Sequence, residues 1–160
     1  MRGKKKKFLR LLGKLLFIAY MAFIFYFLLF SDWYGRSGSW GEYRYNLVPF
    51  QEIKRFIQYR DVLGSYALFT NLFGNILIFI PFGFFLPMGS VKPSFFSTLV
   101  YSFSLSLSVE IFQLITKVGC FDVDDLFLNT VGGIAGFLLY KLCNAIRRKH
   151  VAKRKRKKRT

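Results

Sequence analysis

The sequence contains only two cysteines, one histidine and eight acidic residues in 160 positions. Two cysteines exclude a small disulfide-stapled scaffold. The histidine, His150, lies in a basic run, and the sequence offers no nucleophilic Ser/His pair, no P-loop and no zinc-site spacing. A length of 160 residues fits one domain. Hydrophobic residues make up 53% of the chain, which excludes an intrinsically disordered protein.

Basic residues dominate the charge, and they lie at the two ends. The formal net charge is +17, and of 25 Lys and Arg residues 7 precede residue 15 and 11 lie between Lys141 and Arg159. A globular nucleic-acid-binding protein would spread its basic residues among its folded elements. Basic ends around an apolar interior therefore indicate a membrane protein with no nucleic-acid partner.

Four apolar segments are long enough to cross a bilayer, which takes about 20 residues per helix. They cover 11–30, 66–86, 95–115 and 126–142. The first could be a cleaved signal peptide, but no A-x-A-like site follows it, so a retained anchor is predicted. The sequence thus predicts an all-α fold, an integral membrane four-helix bundle over 11–142 with basic tails at 1–10 and 143–160.

The distribution of charge also predicts the orientation of the chain. Under the positive-inside rule both basic tails are cytoplasmic, which requires an even number of spans. Loops 31–65 and 116–125 then lie outside, and every acidic residue falls in them or in the outer half of the third span. Cys120 and Cys143 lie at opposite surfaces and are too far apart to form a disulfide. The tails are expected to bind anionic lipids, with a specific RNA or protein site as the alternative for the C-terminal run.

An amphipathic helix is predicted over 50–62, in the first outer loop. Its apolar residues can share one face, and Pro49 suits the first turn, where a missing N–H costs nothing. Two placements stay open. The helix either lies on the outer leaflet or packs against the spans as an ordinary loop helix.

Polar residues within the spans are expected to share one depth near the outer surface. They begin the second span, end the third and begin the fourth: Asn71 and Asn75, Glu110 and Gln113, and Asp122, Asp125 and Asn129. The alternating serines from Ser102 to Ser108 are not expected to form one helical stripe. Pro81 is expected to kink the second span, and Gly132 and Gly136 predict close helix contact.

The carboxylates suggest two kinds of role. Carboxylates within a span are costly and therefore mark functional candidates. Hard oxygen ligands suit a divalent cation, so Glu110, Asp122 and Asp125 are candidate metal ligands, and without a metal Glu110 could act as a general base. Alternatively, Asp122 or Asp124 could cap the fourth helix. Glu110 lies inside its span and has no capping role.

Four motifs, taken together and in order, resemble the VanZ-like family of membrane proteins. They are Asn46-x-x-Pro49-Phe50, Asn71-x-x-Gly74-Asn75-x-x-x-Phe79-x-Pro81-Phe82-Gly83, Ser106-x-x-x-Glu110-x-x-Gln113 and Asp122-x-Asp124-Asp125-x-x-x-Asn129-x-x-Gly132. The resemblance covers roughly residues 40–140 and adds Asn46 to the candidate site. It implies a bacterial plasma-membrane protein linked to cell-envelope or glycopeptide phenotypes, because the family is named for an accessory factor in teicoplanin resistance.

Three functions follow as hypotheses. The first is a non-enzymatic envelope protein that binds a lipid or a lipid-linked cell-wall precursor at the outer leaflet and alters glycopeptide susceptibility. Its candidate ligand-binding residues are Asn46, Asn71, Asn75, Glu110, Gln113, Asp122, Asp125 and Asn129. The second is a metal-dependent membrane enzyme acting on a phosphorylated or glycosylated lipid. The third is a small transporter or scaffold, and the sequence predicts no oligomeric state.

Overall fold

The computed structural model describes residues 2–30, 43–59, 61, 65–117 and 119–156. Most of these residues are helical. The elements in chain order are α1 (Arg2–Phe30), β1 (Tyr45–Asn46), α2 (Gln51–Gln58), α3 (Ser65–Gly89), α4 (Phe95–Thr116), β2 (Phe121–Asp122) and α5 (Val123–Arg156). The all-α prediction is confirmed, apart from two short strands that the hydropathy pattern did not predict.

Three helices in the described part of the chain are long and apolar enough to cross a membrane: Asn71–Gly89, Phe95–Thr116 and Val123–Ala152. Their side chains are arranged as a lipid environment requires. In α4 the buried positions include Thr98, Ser102, Ser106 and Glu110, whereas large apolar side chains such as Phe96 are exposed. Buried polar and exposed apolar residues indicate a membrane protein. The first predicted span, 11–30, lies within α1, and its crossing of the membrane stays a prediction.

Among the four long helices the most extensive contacts join α3 with α5, α1 with α3, and α4 with α5. Close contact of α3 with α5 depends on glycine, as predicted. A Cβ atom at Gly132 would overlap the carbonyl oxygen of Ile76, and one at Gly136 would overlap that of Ile80. The helix α3 is continuous from Ser65 to Gly89 and includes both Pro81 and Pro87. A closed four-helix bundle and the orientation of the termini stay predictions.

The helix α1 packs along α3. Tyr20 and Ile24 form a small buried cluster with Phe82, and the Tyr20 hydroxyl donates to the backbone carbonyl of Ile78. Gly13 lies against Gly89. The two helices are therefore antiparallel, and the basic start of α1 lies beside the end of α3.

The predicted amphipathic helix is shorter than expected. It covers Gln51–Gln58, because Phe50 has a positive φ of 62° and lies outside the helix. Pro49 is therefore not in its first turn, which corrects the prediction from sequence. Residues 60 and 62 of the predicted segment lie outside the described residues.

Both predicted basic tails continue helices. Residues 2–10 belong to α1, and residues 143–156 belong to α5. Since α1 is antiparallel to α3 and α5 is parallel to it, both basic segments lie at the end where α3 finishes. We call this the basic end. Cys120 and Cys143 are free thiols, as expected.

Candidate functional site

The opposite end of the helices, where α4 ends and α5 begins, carries four carboxylates. We call it the acidic end and define it by Glu110, Asp122, Asp124 and Asp125. Glu110, Asp122 and Asp124 are buried. Burying carboxylates is costly unless hydrogen bonds satisfy them, so their partners decide what the site can do.

Asp122 joins three segments of the chain. Its backbone N–H donates to Glu110 Oε2 over 2.9 Å, and its Oδ1 accepts from Asn46 Nδ2 over 3.1 Å. The same residues pair β1 with β2 in parallel, Asn46 opposite Asp122 and Tyr45 opposite Phe121. Three of the residues predicted for the site, Asn46, Glu110 and Asp122, are therefore brought together, and they connect the loop before α2 to the ends of α4 and α5.

The alternative in which Asp122 or Asp124 caps α5 is correct for Asp122. Asp122 directly precedes α5, and its Oδ1 accepts from the backbone N–H of Asp124 over 2.8 Å, which is N-cap geometry. Asp124 has a different role. Its two carboxylate oxygens accept from the backbone N–H groups of Phe50 and Ile53, the second over 3.1 Å. Asp124 thus caps α2, a helix more than 60 residues earlier in the sequence.

The remaining site residues are dispersed along the helices. Asn75 Nδ2 donates to Asp125 Oδ1 between α3 and α5, and Asn129 Nδ2 donates to Ser106 Oγ over 3.0 Å between α5 and α4. Gln113 is buried beside Gly119, which has a positive φ of 133°. Asn71 is exposed on α3.

One polar stripe was missed in the sequence. Thr98, Ser102, Ser106 and Glu110 recur every four residues and are all buried along α4, while Ser104 and Ser108 are exposed. The alternating serines concealed this period, since half of them belong to the stripe and half do not. A spacing of four residues counted backward from Glu110 would have found it.

Metal binding by Glu110, Asp122 and Asp125 stays a prediction. Among the residues that the structure describes, no group of three or more His, Cys, Asp or Glu side chains could hold a metal ion. Glu110, Asp122 and Asp125 instead accept hydrogen bonds from a backbone amide or an Asn side chain. These bonds connect segments of the protein.

Burial affects the titration of the groups at this end that lie outside the spans. Burial raises the pKa of Asp122, and the nearby negative charge of Asp124 raises it further. Hydrogen bonds from the Asp124 backbone and the Asn46 side chain favour the ionised form, but their effect is smaller. Burial also raises the pKa of the Cys120 thiol, and the negative charge of Asp122 acts in the same direction. Both shifts follow from removing these groups from water beside other acids.

The loop and helix fastened by Asp124 present a contrasting surface. We call residues 43–59 the docked segment. Its exposed aromatic and basic side chains are Tyr43, Arg44, Tyr45, Phe50, Lys54, Arg55 and Tyr59. The Lys117 ammonium from the end of α4 lies 4.6 Å from the centre of the Tyr43 ring. The acidic end therefore lies beside a segment whose exposed side chains include many aromatic and basic ones.

Comparison with known proteins gives the chain its family. The VanZ/LLP1 family model matches residues 17–144. Protein VanZ of Enterococcus faecium is 38% identical over 87 residues, which cover 54% of this chain and 52% of that protein. This chain thus aligns with about half the length of that curated relative. No solved structure matches. A match over most of the chain, together with the membrane helices, shows that the protein belongs to the VanZ/LLP1 family.

Proposed function

We propose that this protein is a cell-envelope membrane protein whose docked segment binds the headgroup of a lipid-linked cell-wall precursor at the outer leaflet, and that binding lowers susceptibility to teicoplanin. One observation carries the proposal. The Asp124 carboxylate accepts from both Phe50 and Ile53, so the aromatic and basic segment is held at the ends of the membrane helices. The buried carboxylates then fix the binding surface, and the exposed side chains of the docked segment contact the ligand.

The exposed chemistry of the docked segment fits such a headgroup. Basic side chains such as Arg44 and Lys54 form charge-assisted hydrogen bonds to phosphate. Tyrosines such as Tyr43 and Tyr45 have an apolar ring and a polar hydroxyl, which suits the interface between hydrocarbon and water. The apolar side chains Leu47, Val48 and Ile57 are also exposed and would enter the lipid. The docked segment would then lie in the headgroup layer, where lipid-linked precursors are found.

Membership of the VanZ/LLP1 family supports the proposed effect on teicoplanin susceptibility. The VanZ-like family takes its name from an accessory factor in teicoplanin resistance, and the curated relative is Protein VanZ of Enterococcus faecium. We transfer only the expectation of a changed glycopeptide response. The ligand is proposed from the chemistry of the docked segment.

Expression of the wild-type chain in a glycopeptide-sensitive bacterium tests the proposal. We expect the wild type to raise the minimal inhibitory concentration of teicoplanin. The double variant Arg44→Gln/Lys54→Gln should lose this effect, because removing two charge-assisted contacts weakens phosphate binding by about tenfold or more. Vancomycin measured in parallel tests whether the effect is specific to teicoplanin.

Two further variants complete the experiment. Lys92→Gln removes an exposed charge between α3 and α4, at the basic end, and should behave as wild type. Asp124→Ala releases the cap of α2 and should lose the effect while the protein still inserts in the membrane. No change in teicoplanin response on expression of the wild type, or equal responses of the Arg44→Gln/Lys54→Gln and wild-type proteins, would contradict the proposal.

A further inference from the structure

The contact between α4 and α5 contains two buried polar atoms that need a partner. In the described part of the chain, Ser102 Oγ and Asn129 Oδ1 are the buried side-chain atoms without a hydrogen bond. Ser102 is 0% exposed and Asn129 4%. A buried polar atom without a partner is costly in water-soluble proteins and more so inside a bilayer, where no bulk water is available.

Register places Ser102 and Asn129 about one helical turn apart along the contact between α4 and α5. Asn129 Nδ2 donates to Ser106 Oγ, and one turn further along both helices the Ser102 hydroxyl lies directly over Gly133, where a Cβ atom would overlap it. One turn of helix is about 5.4 Å. A rise of this size exceeds a direct hydrogen bond and is within the reach of two hydrogen bonds joined by one water.

We propose that α4 and α5 bind one buried water molecule between Ser102 Oγ and Asn129 Oδ1. Ser102 donates to the water oxygen, and the water donates one hydrogen to Asn129 Oδ1. The Ser106 oxygen is near enough to be a third partner, within the two to four that a buried water needs. The residues that frame the site, Ser102, Ser106, Asn129 and Gly133, carry no charge, so the ligand is neutral. Water is neutral and can accept from one group while it donates to another.

The water would make the polar stripe of α4 continuous. Thr98 already donates to the backbone carbonyl of Ser94, and Glu110 accepts from Asp122 at the other end. Twelve residues separate Thr98 from Glu110, a rise of about 18 Å. The water site lies in the middle of this length, and it does not depend on the proposed headgroup ligand.

A double-mutant cycle tests the link between the two residues. Ser102→Ala, Asn129→Ala and the double variant are unfolded in detergent micelles, and the coupling is taken from the unfolding equilibrium constants. We expect each single variant to be less stable than wild type and a coupling of roughly threefold, the typical size for hydrogen bonds inside membrane proteins. The control cycle pairs Asn129→Ala with Ser104→Ala, an exposed serine on the same helix, and should show no coupling.

The proposal would be overturned if the two single substitutions had additive effects on stability and Ser102→Ala were more stable than wild type, because the hydroxyl would then have no partner to lose.

Infrared spectroscopy distinguishes a bridging water from a direct hydrogen bond. Wild-type minus Ser102→Ala spectra should contain an O–H stretching band that shifts when the sample is hydrated with heavy-oxygen water. A serine hydroxyl oxygen does not exchange with solvent, so coupling without an isotope-sensitive band would mean a direct Ser102–Asn129 bond and would reject the water.

Discussion

At the scale of single residues, the four carboxylates of the acidic end serve as hydrogen-bond acceptors for backbone amides and Asn side chains. Asp122 caps α5 and accepts from Asn46, while Asp124 caps α2. Each carboxylate thus connects segments that are far apart in sequence. Their burial has a cost that depends on pH, because the ionised form loses more hydration than the neutral form.

Asp122→Asn should change how stability depends on pH. The pKa of Asp122 is raised in the folded state, so the folded protein holds this proton more tightly than the unfolded chain does. The stabilising contribution is complete at acid pH, below the unfolded pKa, and is lost as the pH rises through the folded pKa. As the pH rises above about 4, the ordinary range for an Asp side chain, the free energy of unfolding of wild type should therefore fall relative to that of Asp122→Asn.

Chemical unfolding of the two proteins in micelles across this range gives the measurement. Asp61→Asn makes the same change at an exposed acid and serves as the matched control. Parallel curves for wild type and Asp122→Asn would show that burial of Asp122 has no net effect on its proton affinity.

The location of the acidic residues was more predictable from the sequence than their hydrogen-bonding roles. The depth of Glu110, Asp122 and Asp125 followed from hydropathy and the positive-inside rule, and the capping alternative was correct for Asp122. The link from Asp124 to α2 was not predictable by spacing, because it joins positions 71 or more residues apart. The buried serine stripe was missed for a different reason. Serines recur every two residues from Ser102 to Ser108, and this spacing hides the four-residue spacing of the buried ones.

At the scale of elements, α3 and α5 approach closely because glycine replaces side chains at their contact. A Cβ atom at Gly83 would overlap the carbonyl oxygen of Gly133, in addition to the overlaps at Gly132 and Gly136. Backbone atoms cannot move aside as a flexible side chain can. Small residues at such contacts let dispersion forces act between helices, which is the main source of association within lipid.

Gly132→Ala should destabilise the protein, whereas Gly74→Ala should not. The added methyl group at Gly132 meets the Ile76 backbone, and overpacking of this kind costs about 1–3 kcal/mol. A Cβ at Gly74 has no neighbouring atom within 4 Å, so alanine there should be neutral or should stabilise the helix by about 0.5–1 kcal/mol. Unfolding in mixed micelles, followed by circular dichroism, measures both. Equal effects would contradict the packing of α3 on α5.

Helix ranges were the most predictable feature at this scale. Segments 66–86, 95–115 and 126–142 fall within α3, α4 and α5, because continuous apolar runs can satisfy their backbone in lipid only as helices. The start of α2 and the two strands were not predictable. They depend on contacts between residues 46 and 122 and between residues 50 and 124, which local pattern does not encode.

At the scale of the whole molecule, charge is separated along the helix axes. The basic ends of α1 and α5 lie together, and the four carboxylates of the acidic end lie opposite. With 34 residues, α5 is about 51 Å long, whereas the hydrocarbon core is about 30 Å thick. A helix of this length carries its basic residues beyond the hydrocarbon on one side.

The predicted orientation can be measured by thiol labelling. In a background with Cys120→Ser and Cys143→Ser, Lys54→Cys and Lys92→Cys each provide one exposed thiol at opposite ends of the molecule. A membrane-impermeant maleimide applied to intact cells should label Lys54→Cys, because the positive-inside rule places the basic end in the cytoplasm. Lys92→Cys should be labelled only after permeabilisation. The reverse pattern would invert the predicted orientation, and labelling of both from outside would contradict a span between them.

The pairing of β1 with β2 has a consequence for the order in which the protein matures. Tyr45 and Asn46 are synthesised early, but their partners Phe121 and Asp122 follow α3 and α4. Chains emerge from the ribosome N-terminus first, and closing a loop of this length must precede the gain from the contact. We therefore expect the loop before α2 to stay unpaired until α3 and α4 have been synthesised and inserted. Its attachment to Phe121 and Asp122 would then be among the last steps of folding.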